Sequence, residues 1–90
     1  MTSQPQPLVF ITGASSGIGQ ALAARFYRAG YRLALVARRT PEVQGWIVSQ
    51  GIATQRVAVY AADVRDADAI VAAGRACIDA QGVPLSLIHI

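Results

Sequence analysis

The octapeptide Thr12-Gly13-Ala14-Ser15-Ser16-Gly17-Ile18-Gly19 stands directly behind the apolar run Leu8-Val9-Phe10-Ile11. Residues of these types in this order can hold an anion. A strand delivers the chain to a glycine-rich bend, and a helix starting there points its unpaired N–H groups and the positive end of its dipole at whatever occupies the bend. A pyrophosphate suits that arrangement. Gly13 is needed to leave the strand in a conformation that a Cβ obstructs, Gly17 to let backbone approach the phosphates, and Gly19 to let the helix lie close on the sheet. The spacing is G-x-x-x-G-x-G rather than G-x-G-x-x-G, and glycines alone could mark a plain strand-to-helix turn.

Arg38-Arg39 forms a second constellation, just after the apolar run Leu33-Ala34-Leu35-Val36-Ala37. In dinucleotide sites an acidic residue at the end of the second strand holds both hydroxyls of the adenosine ribose, whereas an arginine there accommodates a 2′-phosphate. No carboxylate stands at this strand end, and a planar guanidinium can grip a phosphate in a bidentate pair. The residues therefore point to NADP, with NAD as the disfavoured alternative. Arg38 is the first choice for the ligand and Arg39 the second, since one of two neighbours faces the site and the other solvent. The bland alternative is a pair of solvated arginines.

Positioning these residues requires strands and helices in alternation. Leu8 to Thr12, Leu33 to Ala37 and Val57 to Ala61 are continuous apolar runs, as expected of parallel strands covered on both faces. Ile18, Leu22 and Phe26 recur at helical spacing until Gly30 stops the first helix. A second helix is expected from Pro41 to Gln50, with Thr40 as N-cap and Gly51 as stop, and Trp46 packing it onto the sheet. A third follows Asp66 as N-cap and runs through Ile70, Ala73, Cys77 and Ile78 to Gly82. This alternation implies an α/β, Rossmann-like, doubly wound parallel sheet of strand order 3-2-1, with Leu85 to Ile90 able to add a fourth strand beside the first.

The segment VFITGASSGIGQALAARFYRAGYRLALVARR resembles the N-terminal part of the short-chain dehydrogenase/reductase family, and the resemblance runs from about Leu8 to about Pro84. It implies an NAD(P)-binding Rossmann fold in an oxidoreductase that transfers a hydride between the cofactor and a carbonyl or alcohol substrate, in a homo-oligomer. It further implies that Thr12 braces the turn through its hydroxyl, and that Ser15, Ser16 and Ile18 sit beside the cofactor phosphates and ribose. Asp63 would accept a hydrogen bond from the adenine amino group, with Val64 against the ring. Asp63 could equally cap the turn into the third helix.

The same resemblance implies a catalytic tyrosine, a lysine that lowers its pKa, a serine and an asparagine. The ninety residues contain no lysine and no asparagine, so no catalytic residue is assigned. A phenol without a cation beside it stays near pKa 10 and is a poor acid at neutral pH. Residues 1–90 therefore read as a single partial dinucleotide-binding domain, a truncated sheet that binds cofactor weakly at best and reduces nothing by itself. Residues 1–7 read as a flexible leader. The end, Leu85-Ser86-Leu87-Ile88-His89-Ile90, equals a translation of the transposon-end adaptor of sequencing libraries, CTG TCT CTT ATA CAC ATC. Residues 85–90 are accordingly expected to be a non-native tail, the alternative being a divergent natural strand, and His89 receives no catalytic role. A reading from another class stays open, a non-catalytic module that senses the nucleotide without turnover.

Composition narrows the rest. The net charge of +3 comes from eight basic residues, all arginine and dispersed without a basic stripe, which argues against nucleic acid as a partner. No window approaches the roughly 18 to 20 apolar residues of a membrane span. Cys77 is the single cysteine, which leaves no internal disulfide and no cysteine metal cluster and suits a reducing cytoplasm. No secretory signal opens the chain, and a buried structural thiol is the expected state of Cys77.

Overall fold

The computed structural model describes residues 6–89. Strand β1 (Leu8–Thr12) leads through the glycine turn into helix α1 (Gly17–Arg28), followed by β2 (Arg32–Ala37), α2 (Thr40–Gln50), a 3-10 turn (Thr54–Arg56), β3 (Val57–Ala61), α3 (Ala67–Gln81) and β4 (Ser86–His89). All strand pairs are parallel, in the order β3-β2-β1-β4. Val9 pairs with Leu33 on one side and Ser86 on the other, and Leu33 with Val57. The fourth strand thus lies where the sequence places it. Met1 to Pro5 of the expected leader, and Ile90, lie outside the described residues. Gln6 and Pro7 are tied down, because Arg32 donates from its backbone N–H to the Pro7 carbonyl at 2.7 Å and from Nε to the Gln6 carbonyl at 3.1 Å.

The two-residue period of the strands divides the core into two layers. Val9, Ile11, Leu33 and Leu35 face a cluster completed by Ala23, Val43 and Ile47 of α1 and α2, with Trp46 packed against it. Leu8, Phe10, Ala34 and Val36 face the opposite cluster, completed by Ala73 and Cys77 of α3. Every residue of β1 is buried, as the unbroken apolar run requires. Cys77 is fully buried, and burial pushes its thiol pKa up. Beside β4 the second layer stops short, leaving an apolar groove of about 280 Å³ between Phe10, Ile70, Ile78, Pro84 and Leu87.

The helix ends follow mostly from residue type. Gly30 and Gly51 take the left-handed region (φ 95° and 67°) that other residues avoid, and Asp66 accepts the Ala69 N–H at 3.1 Å as the cap of α3. Thr40 departs from expectation. The chain is still extended at Arg39 (φ −114°, ψ 89°) and turns only at Thr40, so Arg39 takes the cap position, makes no side-chain cap bond, and leaves Thr40 as the first helical residue.

Candidate dinucleotide site

The loops at the carboxyl ends of β1, β2 and β3 meet at one edge of the sheet. Two backbone bonds stitch them together, from the Ala14 N–H to the Val36 carbonyl (3.0 Å) and from the Ala62 N–H to the Ala37 carbonyl (3.1 Å). Between the loops lies a cavity of about 240 Å³ lined by Gly13, Ser15, Ala37, Arg38, Ala62, Asp63, Val64 and Arg65. In open α/β sheets the crevice beyond the carboxyl ends of the strands, where strand order reverses, is where ligands bind. Here the reversal falls at β1, flanked by β2 and β4.

The glycine turn is held from within. Gly13 adopts φ 74°, and its carbonyl accepts both the Ser16 N–H at 3.0 Å and the Ser16 hydroxyl at 2.8 Å. The same hydroxyl accepts the Gly19 N–H at 3.0 Å, making Ser16 the N-cap of α1. A Cβ on Gly19 would run into the Gly13 carbonyl oxygen and come within 3.0 Å of the Ala14 Cα. Gly19 is therefore required by the turn itself as much as by the packing of helix on sheet. Gly17 is different, since a Cβ there would meet nothing within 4 Å. Among the described residues, no partner is found for the N–H groups of Gly17 and Ile18. An anion can use both donors, with the dipole of a twelve-residue helix behind them.

Other expected residues fall in different places. Thr12 is buried, and its hydroxyl lies 2.8 Å from Nδ1 of His89 and 3.5 Å from the Ile88 carbonyl. It braces β1 against β4 rather than bracing the turn, because Thr12 pairs with His89 in the strand register and its side chain reaches sideways. Ile18 is 66% exposed and borders a surface patch with Ala21, Leu22 and Arg25, outside the cavity. Arg38 lines the cavity and Arg39 does not, its guanidinium reaching Glu42 at 3.8 Å.

Asp63 and Val64 both line the cavity. The Asp63 carboxylate is already engaged by Arg65. Oδ1 accepts the Arg65 backbone N–H at 2.9 Å and Nε at 3.1 Å, while Oδ2 accepts Nη2 at 2.8 Å and a longer contact from Nε at 3.3 Å. Hydrogen bonding to Arg65 holds this carboxyl well below the usual carboxylate range, and the charge of Arg38 acts in the same direction. Arg65 is a site residue that the sequence reading passed over. The signal available was the Asp-x-Arg spacing, in which an aspartate bonds the backbone two residues on.

The family model for short chain dehydrogenase matches residues 7–86. The chain belongs to the short-chain dehydrogenase family. Within that family it is 48% identical, over 63 residues, to a 3-dehydrosphinganine reductase of Arabidopsis thaliana, a match covering 69% of this chain and 19% of the reductase. The structure of L-sorbose reductase from Gluconobacter frateurii, complexed with NADPH and L-sorbose, aligns with a TM-score of 0.80 at 30% identity, covering 91% of this chain and 32% of that one. That of a 3-ketoacyl-(acyl-carrier-protein) reductase from Brucella melitensis, complexed with NADH, aligns with a TM-score of 0.77 at 27% identity, covering 90% and 32%. This short-chain dehydrogenase chain thus spans no more than a third of the length of these relatives. No helix among its described residues is long and apolar enough to cross a membrane.

Proposed function

We propose that the chain is the NADP-binding part of an oxidoreductase acting between a carbonyl and an alcohol. The observation that carries this reading is the position of Arg38, on the cavity wall without a hydrogen-bond or ion-pair partner among the described residues. The adenosine 2′-phosphate would lie against its guanidinium, the adenine between Val64 and the Asp63 carboxylate, and the pyrophosphate over Gly13, Ser15 and the free N–H groups of Gly17 and Ile18. The open space above Gly17 and the two unpaired donors fit such a group. When bound, the nicotinamide supplies or accepts the hydride, and the protein's part is placement and electrostatics. Ser16, Gly19 and Thr12 act from beneath by fixing the turn and the strand that carries it.

Of the three tyrosines, Tyr31 packs edge-on against Phe26, and the other two have their hydroxyls committed elsewhere. The Tyr27 hydroxyl accepts the Ala53 N–H at 3.1 Å, and the Tyr60 hydroxyl donates to Gln81 Oε1 at 2.9 Å, with burial raising its pKa. Neither borders the cavity. With no lysine to assist a phenol, these residues bind cofactor and leave proton transfer to groups they do not contain.

Calorimetric titration with NADP and NAD tests the reading. NADP should bind about ten- to a hundredfold more tightly, the worth of one charge-assisted bidentate contact, and Arg38→Ala should remove most of that margin while leaving NAD affinity nearly unchanged. Equal affinity for the two, or a preference for NAD, contradicts it.

A further inference from the structure

Arg38, Asp63 and Arg65 line the cavity, Arg39 follows Arg38 in the chain and pairs with Glu42, and the pairing of these charges is not even. Glu42 is taken by Arg39 and Asp63 by Arg65, which leaves Arg38 as the cation without a partner among the described residues. We propose that Arg65 is a specificity-determining residue of this site: by occupying the Asp63 carboxylate it masks the negative charge on the cavity wall and keeps Arg38 free for a 2′-phosphate. The inference rests on the NADP reading and adds a residue and a mechanism to it.

The geometry supports masking in two ways. Asp63 is the acidic residue among those lining the cavity, which it shares with Arg38, so an unmasked carboxylate would repel a phosphate and also draw the Arg38 guanidinium toward itself. Arg65 prevents both, with a fork of Nε and Nη2 on the two oxygens and its own backbone N–H on Oδ1. With the Nε–H shared between the two oxygens, Arg65 brings three N–H donors to the four acceptor positions of the carboxylate, which leaves one acceptor open. That remaining acceptor can still take a single N–H, such as a purine amino group, without presenting an exposed negative charge to the phosphate. The formal charge of the cavity wall is +1 with Arg65 present and zero without it, counting Arg38, Arg65 and Asp63. Although the Arg65 side chain is 76% exposed, the double contact and the backbone bond orient it from three points.

The test uses adenosine 2′,5′-bisphosphate and 5′-AMP, two probes that differ only in the 2′-phosphate, and reads the ratio of their dissociation constants. In the unaltered chain the bisphosphate is preferred. Arg65→Ala should lower that preference about fivefold at low salt, the order of effect of removing one charge from a largely solvated site, and the drop should shrink in 0.5 M salt. Arg65→Gln should behave alike, since it retains a donor and loses the charge. Asp63→Asn combined with Arg65→Ala should bring the preference back to within about twofold of the starting value, because nothing is left to mask. A preference that Arg65→Ala and Arg65→Gln leave intact overturns the proposal, and so does a drop that Asp63→Asn fails to rescue, which would mean that Arg65 meets the phosphate itself. If the unaltered chain shows no preference for the bisphosphate, the NADP reading fails first and this one with it.

Discussion

Gly19 lies against Gly13 so closely that a Cβ on the former would collide with the carbonyl oxygen of the latter. Gly17, two residues earlier in the same turn, faces open space. The two glycines are thus required by different things, one by the fold and the other by what the fold binds.

Gly19→Ala should destabilise the protein by about 1 to 3 kcal/mol, since the clash is with backbone and only a shift of the turn relieves it. Gly17→Ala should leave the thermal midpoint unchanged or slightly raised, because alanine favours a helix start over glycine, yet abolish dinucleotide binding by filling the approach to the phosphates. Thermal melts and calorimetry on both variants separate the two effects. A Gly17→Ala protein that binds NADP normally would show that no phosphate comes near this backbone.

Ser16 predicts a second dissociation of stability from binding. Removing its hydroxyl deprives the Gly19 N–H and the Gly13 carbonyl of a partner each, so Ser16→Ala should cost about 1 kcal/mol, within the 0.5 to 2 kcal/mol usual for a cap. Ser16→Asp should keep the cap on the Gly19 N–H but not the bond to the Gly13 carbonyl, and so retain more stability than Ser16→Ala, while placing a negative charge where the pyrophosphate must sit. Urea unfolding and cofactor titration of the two variants should rank them in opposite orders.

Asp63 carries a pH prediction. Its carboxyl is held below the ordinary aspartate range by Arg65, so the interaction is fully present above the unfolded-state pKa of about 3.9 and is lost only as pH falls through the lower folded-state value. Carboxyl carbon shifts of Asp63 followed by NMR should therefore stay flat from pH 7 to pH 3. Arg65→Ala should return the midpoint to the ordinary range, and an ordinary midpoint in the unaltered protein would mean that the pair does not persist in solution.

Much of the scaffold was legible because it rests on local rules. The apolar runs at Leu8 to Thr12 and Val57 to Ala61 are strands, Gly13, Gly30 and Gly51 take positive φ, and Asp66 caps its helix. What escaped depends on contacts between distant residues. The Thr12 hydroxyl serves a strand 77 positions away, and Arg56 lies 3.9 Å over the Tyr27 ring while donating to the Tyr27 and Tyr31 carbonyls. No periodicity encodes such a pairing. At the site, the sequence already ranks Arg38 ahead of Arg39, but that Glu42, one helical turn on, holds Arg39 is a contact no sequence pattern shows. The capping role of Ser16 needs the backbone angle of the turn, and Arg65 is missed because Asp63 reads as a ligand group or a helix cap, neither of which calls for an ion-pair partner two residues on.

Among all these measurements, one reads the account most directly: backbone and arginine side-chain NMR of the ninety-residue chain titrated with NADP and, separately, NAD. NADP should move the N–H resonances of Gly13, Ser15, Gly17 and Ile18, the Val64 methyls and the Arg38 guanidinium along one saturation curve, and NAD should move the turn resonances only at much higher concentration while leaving Arg38 in place. Shifts that bypass the glycine turn, or an Arg38 signal that responds equally to both cofactors, would contradict it.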